Sequence, residues 1–123
     1  MLKCYLPITC NVLVPGHILL IKKLEKLCEG EIVLGLLTSK ALKGYKKERM
    51  KWEDRKFILE HITCGDIVPQ DSLDPTENIK KYGCNALASG DGFEKVEEEA
   101  ITKLALTKIS LKSGHDLHSS DLR

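Results

Sequence analysis

Residues 31–37, Glu-Ile-Val-Leu-Gly-Leu-Leu, form an almost unbroken apolar run. A strand with one wet face alternates apolar and polar side chains. A run without alternation belongs to a strand covered on both faces. Such a strand sits inside a parallel sheet, and parallel strands need crossover connections, usually helices. The rest of the chain reads accordingly. Residues 2–8 read as a short buried strand, 65–69 as a third strand, 85–89 as a fourth and 106–111 as a fifth. Residues 17–29 place Leu20, Ile21, Leu24, Leu27 and Cys28 near 3.6-residue spacing, and Gly30 follows as a helix stop. Residues 39–50 read as a short basic helix plus loop, and 52–62 as a helix with Phe57, Ile58 and Ile62 facing in. Asp74-Pro75 opens a helix to about residue 82, with proline in its first turn and Gly83 closing it. Residues 94–104 form a helix with Val96, Ala100 and Leu104 in register, and 113–120 are polar loop. No two consecutive strands are joined by a hairpin turn. The expected fold is α/β, a doubly wound Rossmann-like sandwich on a five-stranded parallel sheet.

The chain has 123 residues, which reads as a single domain without internal repeats or a low-complexity linker. Its net charge of +1 gives no global field toward nucleic acid or membrane, so neither is an expected partner. Charge is local instead. Residues 40–56 hold eight Lys/Arg against three acids, and 91–99 hold five acids against one lysine. An aromatic content of 5% is too low for the stacking platforms of single-strand binders. No apolar run approaches the roughly 20 residues that span a bilayer, and the first residues are too short and polar for a signal peptide. The five cysteines (Cys4, Cys10, Cys28, Cys64 and Cys84) are scattered, odd in number and without C-x-x-C spacing. They read as small buried thiols in a reduced, cytoplasmic setting, with no metal site.

In a doubly wound sheet, ligands bind beyond the carboxyl ends of the strands. There the expected topology gathers residues 9–17, 38–47, 69–74, 89–93 and 112–120. The first of these loops ends in Val14-Pro15-Gly16-His17, a strand-to-helix junction. An imidazole and free N–H groups at a helix start can stabilise a transferring phosphoryl group. A capping or surface histidine is the other reading of His17. Gly16 allows close backbone approach or serves a tight turn. Lys46 and Lys47, after Tyr45, suit a lid on a triphosphate, or a solvated basic loop. Gly90-Asp91-Gly92 can bring backbone and carboxylate to a ribose or base, and is by itself only a turn signal. Walker-type, G-x-G-x-x-G and G-x-S-x-G motifs are missing from the sequence.

Taken in order, NVLVPGHI, GLLTSKALKGYKK, WEDRKFIL, DIVPQDSLD, ASGDGFEKVEEEAI and HSSDLR resemble the cytidylyltransferase-type nucleotidyltransferases over nearly the whole chain. That family carries an H-x-G-H loop after its first strand, a lysine after its second and a Ser/Thr-rich loop near its end. The nearest branch is the one found with phosphoenolpyruvate mutases in phosphonate metabolism. The resemblance implies CMP transfer from CTP, with Mg²⁺, to a small phosphonate or phospho-alcohol such as 2-aminoethylphosphonate, and release of pyrophosphate. It implies His17 on the triphosphate and Lys46 neutralising phosphates, both catalytic. It implies Thr9, Gly16, Asp91, Ser119 and Ser120 around the nucleotide. It gives Arg55 either a substrate-binding or a structural role. A homodimer is compatible with it.

The chain departs from the family pattern at Val14, where the first histidine stands, at Asn11, usually acidic, and at Cys10, usually glycine. It stops at Arg123, before the family's last helix. Losing one preorganised charge-stabilising group commonly costs about 100- to 1000-fold in rate. A weakened enzyme, a non-catalytic nucleotide-binding or interaction domain, and an adenylyltransferase relative therefore all remain open at this point.

Overall fold

The computed structural model describes residues 2–10, 15–45, 47–90 and 92–111. Strand and helix alternate in the order β1 (Cys4–Ile8), α1 (Pro15–Leu27), β2 (Ile32–Leu37), α2 (Ser39–Leu42), α3 (Trp52–Glu60), β3 (Asp66–Gln70), α4 (Thr76–Lys81), β4 (Ala86–Ser89), α5 (Lys95–Leu104) and β5 (Thr107–Ser110). All neighbouring strands pair in parallel, in the order β3-β2-β1-β4-β5. The chain winds outward from β1 to β3, then returns to the other side of β1. The sheet is thus doubly wound, with a switch point between β1 and β4.

Period-two alternation sorts the strand residues onto two faces. Cys4, Leu6, Ile8, Ile32, Leu34, Leu36, Ala86, Ala88 and Ile109 pack against Leu20, Ile21 and Leu24 of α1 and Leu59 of α3. Tyr5, Val33, Val68 and Leu87 face the other way, onto Ile79 of α4 and Ile101 and Leu104 of α5. Every residue of β2 is buried, as its unbroken apolar run requires. Gly35 interrupts that run because the Tyr5 ring crosses there. A Cβ at position 35 would stand 1.9 Å from Tyr5 Oη.

Three expectations are corrected. Phe57 does not face in; it is 62% exposed and stacks on His61, ring centroids 4.4 Å apart. The inward face of α3 runs instead through half-buried Trp52 and buried Arg55 and Leu59, leaving Ile58 and Ile62 half-buried. Pro75 caps α4 rather than entering its first turn. The cysteines are not uniformly buried thiols. Cys4 and Cys28 form a disulfide between the start of β1 and the chain just past α1, with Cα atoms 6.7 Å apart. Cys10 and Cys84 are free and buried, and Cys64 is free and exposed. The helical part of α1 ends at Leu27, and the chain turns into β2 through Glu29 and Gly30, both at positive φ. No helix among the described residues is long and apolar enough to cross a membrane.

Candidate functional site

The carboxyl ends of the strands carry the candidate site. Thr9 follows β1, and Cys10 beyond it is buried with φ 54°, a left-handed conformation that a side chain disfavours. The backbone geometry explains why glycine suits this position in the family that the sequence resembles. Burial pushes the Cys10 thiol pKa up, against the opposing pull of the Arg55 charge.

Thr9 is held by Arg55, which reaches it from α3 and is 0% exposed. Arg55 Nη1 donates to the carbonyls of Thr9 at 2.9 Å and Leu37 at 2.6 Å, the ends of the first two strands. Its Nε donates to Met50 O at 3.0 Å, and its Nη2 to the Glu48 carboxylate at 2.7 Å. Glu48 also accepts from Ser39 Oγ at 2.8 Å. The Ser39 hydroxyl first, and the Arg55 guanidinium with it, hold the Glu48 carboxyl below the usual carboxylate range. Arg55 therefore ties three segments of this edge together through the protein's own acceptors. Of the two roles the sequence leaves for it, this is the structural one.

The two helix starts at this edge differ electrostatically. At α5, the Glu94 and Glu97 carboxylates close a reciprocal capping box, with Glu94 N–H donating to Glu97 Oε1 at 2.8 Å. Burial pushes the Glu97 carboxyl up. Its own acids thus answer the positive end of this helix. At α1 the first turn contains no acid. It carries Gly16, over which a Cβ would meet nothing within 4 Å, and half-buried His17. His17 Nδ1 is buried and makes no hydrogen bond among the described residues. A buried polar atom without a partner is costly, and a ligand acceptor or donor would relieve that cost. The turn after β4 runs beside this helix. A Cβ on Gly90 would stand 3.0 Å from Leu20 Cδ2, and Ser89 Oγ donates to Gly92 O. The start of α1 and the turn after β4 therefore flank the switch point between β1 and β4.

A cleft of about 240 Å³ opens next to it, over the ends of β1, β2 and β3. Its floor is Pro7, Ile8, Thr9, Leu37 and Gln70; Tyr45 and Leu73 wall it, and the first turn of α5 borders it. Gln70 is 2% exposed, and its amide is fixed from both ends. Tyr5 Oη donates to Gln70 Oε1 at 2.7 Å, and Gln70 Nε2 donates to Ser72 O at 2.9 Å. Asn78 Nδ2 in turn donates to Tyr5 Oη at 2.9 Å. Burial pushes the Tyr5 phenol pKa far up, so it stays a neutral donor.

Of the expected site residues, Thr9 lines this cleft. Gly16 and His17 stand at the start of α1, outside its lining. Arg55 lies beneath the edge. Lys46, Asp91, Ser119 and Ser120, and the departures at Asn11 and Val14, fall outside the described residues. Gln70, Tyr45 and Glu48 are the additions that sequence reasoning missed. A polar residue ending the strand sequence Asp-Ile-Val-Pro-Gln was the one available signal for Gln70. Among the described residues no three of His, Cys, Asp or Glu stand together as a metal site.

No protein-family model matches the chain, and no curated protein matches it. Among solved structures it is similar to the lipopolysaccharide core biosynthesis protein from Thermoplasma volcanium GSS1, with a TM-score of 0.72 over 89% of this chain and 93% of that one. The two are 17% identical, so the likeness carries the fold alone. That fold is an α/β sandwich with an all-parallel five-stranded sheet.

Proposed function

We propose that this chain is a nucleotidyltransferase that transfers CMP from CTP to a small phosphonate or phospho-alcohol, such as 2-aminoethylphosphonate. An oxygen of the acceptor's phosphonate or phosphate attacks the α-phosphorus in line. A new P–O–P linkage forms, the α–β bridging bond breaks, and pyrophosphate leaves with the bonding pair. The observation that carries the reading is His17. Its Nδ1 is buried and unpartnered among the described residues, on a long helix of this edge whose first turn holds no acid of its own. The triphosphate lies there in this reading, beside the turn after β4, and the acceptor occupies the cleft over Thr9 and Gln70. Mg²⁺ arrives on the triphosphate oxygens, the usual way for this ion, rather than in a protein cage. Lys46, Asp91, Ser119 and Ser120 keep their proposed contacts to the phosphates and nucleotide.

With Val14 in place of a histidine, turnover is slow. Val14→His should raise pyrophosphate release by about tenfold or more, since such a group contributes a few kcal/mol. No gain in a folded, CTP-binding variant would place the defect elsewhere. Binding of CTP without any pyrophosphate release would instead assign a nucleotide-binding domain, and a preference for ATP an adenylyl-transferring one.

A further inference from the structure

We propose that Glu48 and Arg55 form a clasp that holds the basic segment 43–51 against the ends of β1 and β2, and that both are positioning residues for a triphosphate bound at this edge. This inference rests on the nucleotidyltransferase reading above. The segment joins α2 to α3 and carries five Lys/Arg, at positions 43, 46, 47, 49 and 51, and one acid, Glu48. Like charges at this density repel one another, and its described residues form no helix or strand. One guanidinium supplies what is missing. It grips the segment twice, through the Glu48 carboxylate at 2.7 Å and the Met50 carbonyl at 3.0 Å. The same group donates to Thr9 and Leu37, so one side chain joins the segment to the ends of the two central strands.

The pair is also protected. Arg55 is 0% exposed and Glu48 is 27% exposed, and Ser39 Oγ donates to the carboxylate from the start of α2. A charge-assisted bond in such a setting is stronger than a surface ion pair. The opposite sign of two effects makes the idea testable. If Glu48 acted through its charge alone, removing an acid from a basic segment would tighten triphosphate binding. If it acts as a clasp, removing it frees the cations and weakens binding.

The experiment compares the full chain with Glu48→Ala and Glu48→Gln, each checked for a cooperative unfolding transition. Hydrogen exchange is followed over residues 43–51, and affinities for CTP·Mg²⁺ and CMP are measured by calorimetry. In Glu48→Ala, exchange across 43–51 should quicken by about tenfold while β1 and β2 are unchanged, and CTP affinity should fall by about tenfold. CMP affinity should move less than about twofold, because CMP lacks the outer phosphates. Glu48→Gln keeps one acceptor oxygen for Arg55 and turns an amide N–H2 toward the Ser39 hydroxyl, which can accept, and should stay within about threefold of the unmutated chain in each measurement. Unchanged exchange in Glu48→Ala overturns the clasp. Faster exchange with an unaltered or tighter CTP affinity overturns the positioning role. An unmutated chain that binds no CTP overturns the nucleotidyltransferase reading and this role with it, while exchange still decides whether the clasp exists.

Discussion

Arg55→Met removes a buried guanidinium and leaves its hydrophobic stem in place. The carbonyls of Thr9, Leu37 and Met50 each lose a donor, and Glu48 loses the guanidinium while keeping its bond from Ser39. A buried acceptor left unsatisfied costs about 1–3 kcal/mol; the Leu37 carbonyl is in that position, while the bonds to half-buried Thr9 and Met50 count for less. Against this, the unfavourable burial of the guanidinium disappears. The Glu48 carboxylate left behind is 27% exposed and keeps its Ser39 bond, so the net cost stays below that of breaking a fully buried pair, at about 2–3 kcal/mol. That is a sizeable share of the stability of a domain this size, and corresponds to a fall in Tm of roughly 8–15 °C. Trp52, the single tryptophan, reports directly, because its indole N–H donates to Leu36 O at 2.9 Å beside the same strand end. Urea unfolding followed by Trp52 fluorescence and by circular dichroism should show the loss with coincident transitions. Arg55→Lys keeps the charge without the fork of donors and should fall between the two. A loss below about 1 kcal/mol for Arg55→Met would refute the claim that this side chain anchors the strand ends.

Two further outcomes follow from the staples and the carboxylates. The Cys4–Cys28 disulfide closes a sequence separation of 24, for which chain entropy gives a stabilisation on the order of 3 kcal/mol. Reductant should lower Tm accordingly, and mass analysis after alkylation of the unreduced, denatured chain should count three free thiols; five would refute the pairing. Glu25 and Glu48 both sit below their ordinary value of 4.5. For Glu25 burial acts upward, but hydrogen bonds from Thr63, the Cys64 N–H and Lys22 outweigh it; for Glu48 the Ser39 bond leads. Their stabilisation is complete above pH 4.5 and drains away as pH falls through the depressed folded values, while Glu97, held high by burial, works in the opposite sense. A double Glu25→Gln, Glu48→Gln variant should therefore lose much of the acid sensitivity of the melting temperature below that pH, and an unchanged acid slope would refute the assignment.

The fold was legible because hydrophobic periodicity is local. The unbroken run at 32–37 and the helical spacing of Leu20, Ile21 and Leu24 determine the centre of the sheet and the face of α1 without any knowledge of distant residues. Misreadings arose where a distant partner decides. Sequence reasoning turns Phe57 inward and leaves Arg55 between a substrate-binding and a structural role. In α3 the free carbonyls at the ends of β1 and β2 draw Arg55 in, and Phe57 is left at the surface. The disulfide joins residues with no telling spacing, because the beginning of β1 and the chain after α1 meet only in the folded sheet. The cleft was partly legible. Thr9 was expected at this edge from topology, whereas Gln70 depends on Tyr5, 65 residues away, and Tyr5 on Asn78, 73 residues away.

Calorimetric titration of CTP·Mg²⁺ into the unmutated chain and into His17→Ala, at a temperature where urea unfolding shows both fully folded, decides whether the start of α1 holds a triphosphate. His17 is half-buried at the start of α1, and its Nδ1 has no partner among the described residues, so its removal should leave stability within about 1 kcal/mol. The account predicts saturable CTP binding by the unmutated chain and an affinity reduced by about tenfold in His17→Ala, the loss of one hydrogen bond to a charged oxygen. Equal affinities within error, or no binding to the unmutated chain, would contradict it.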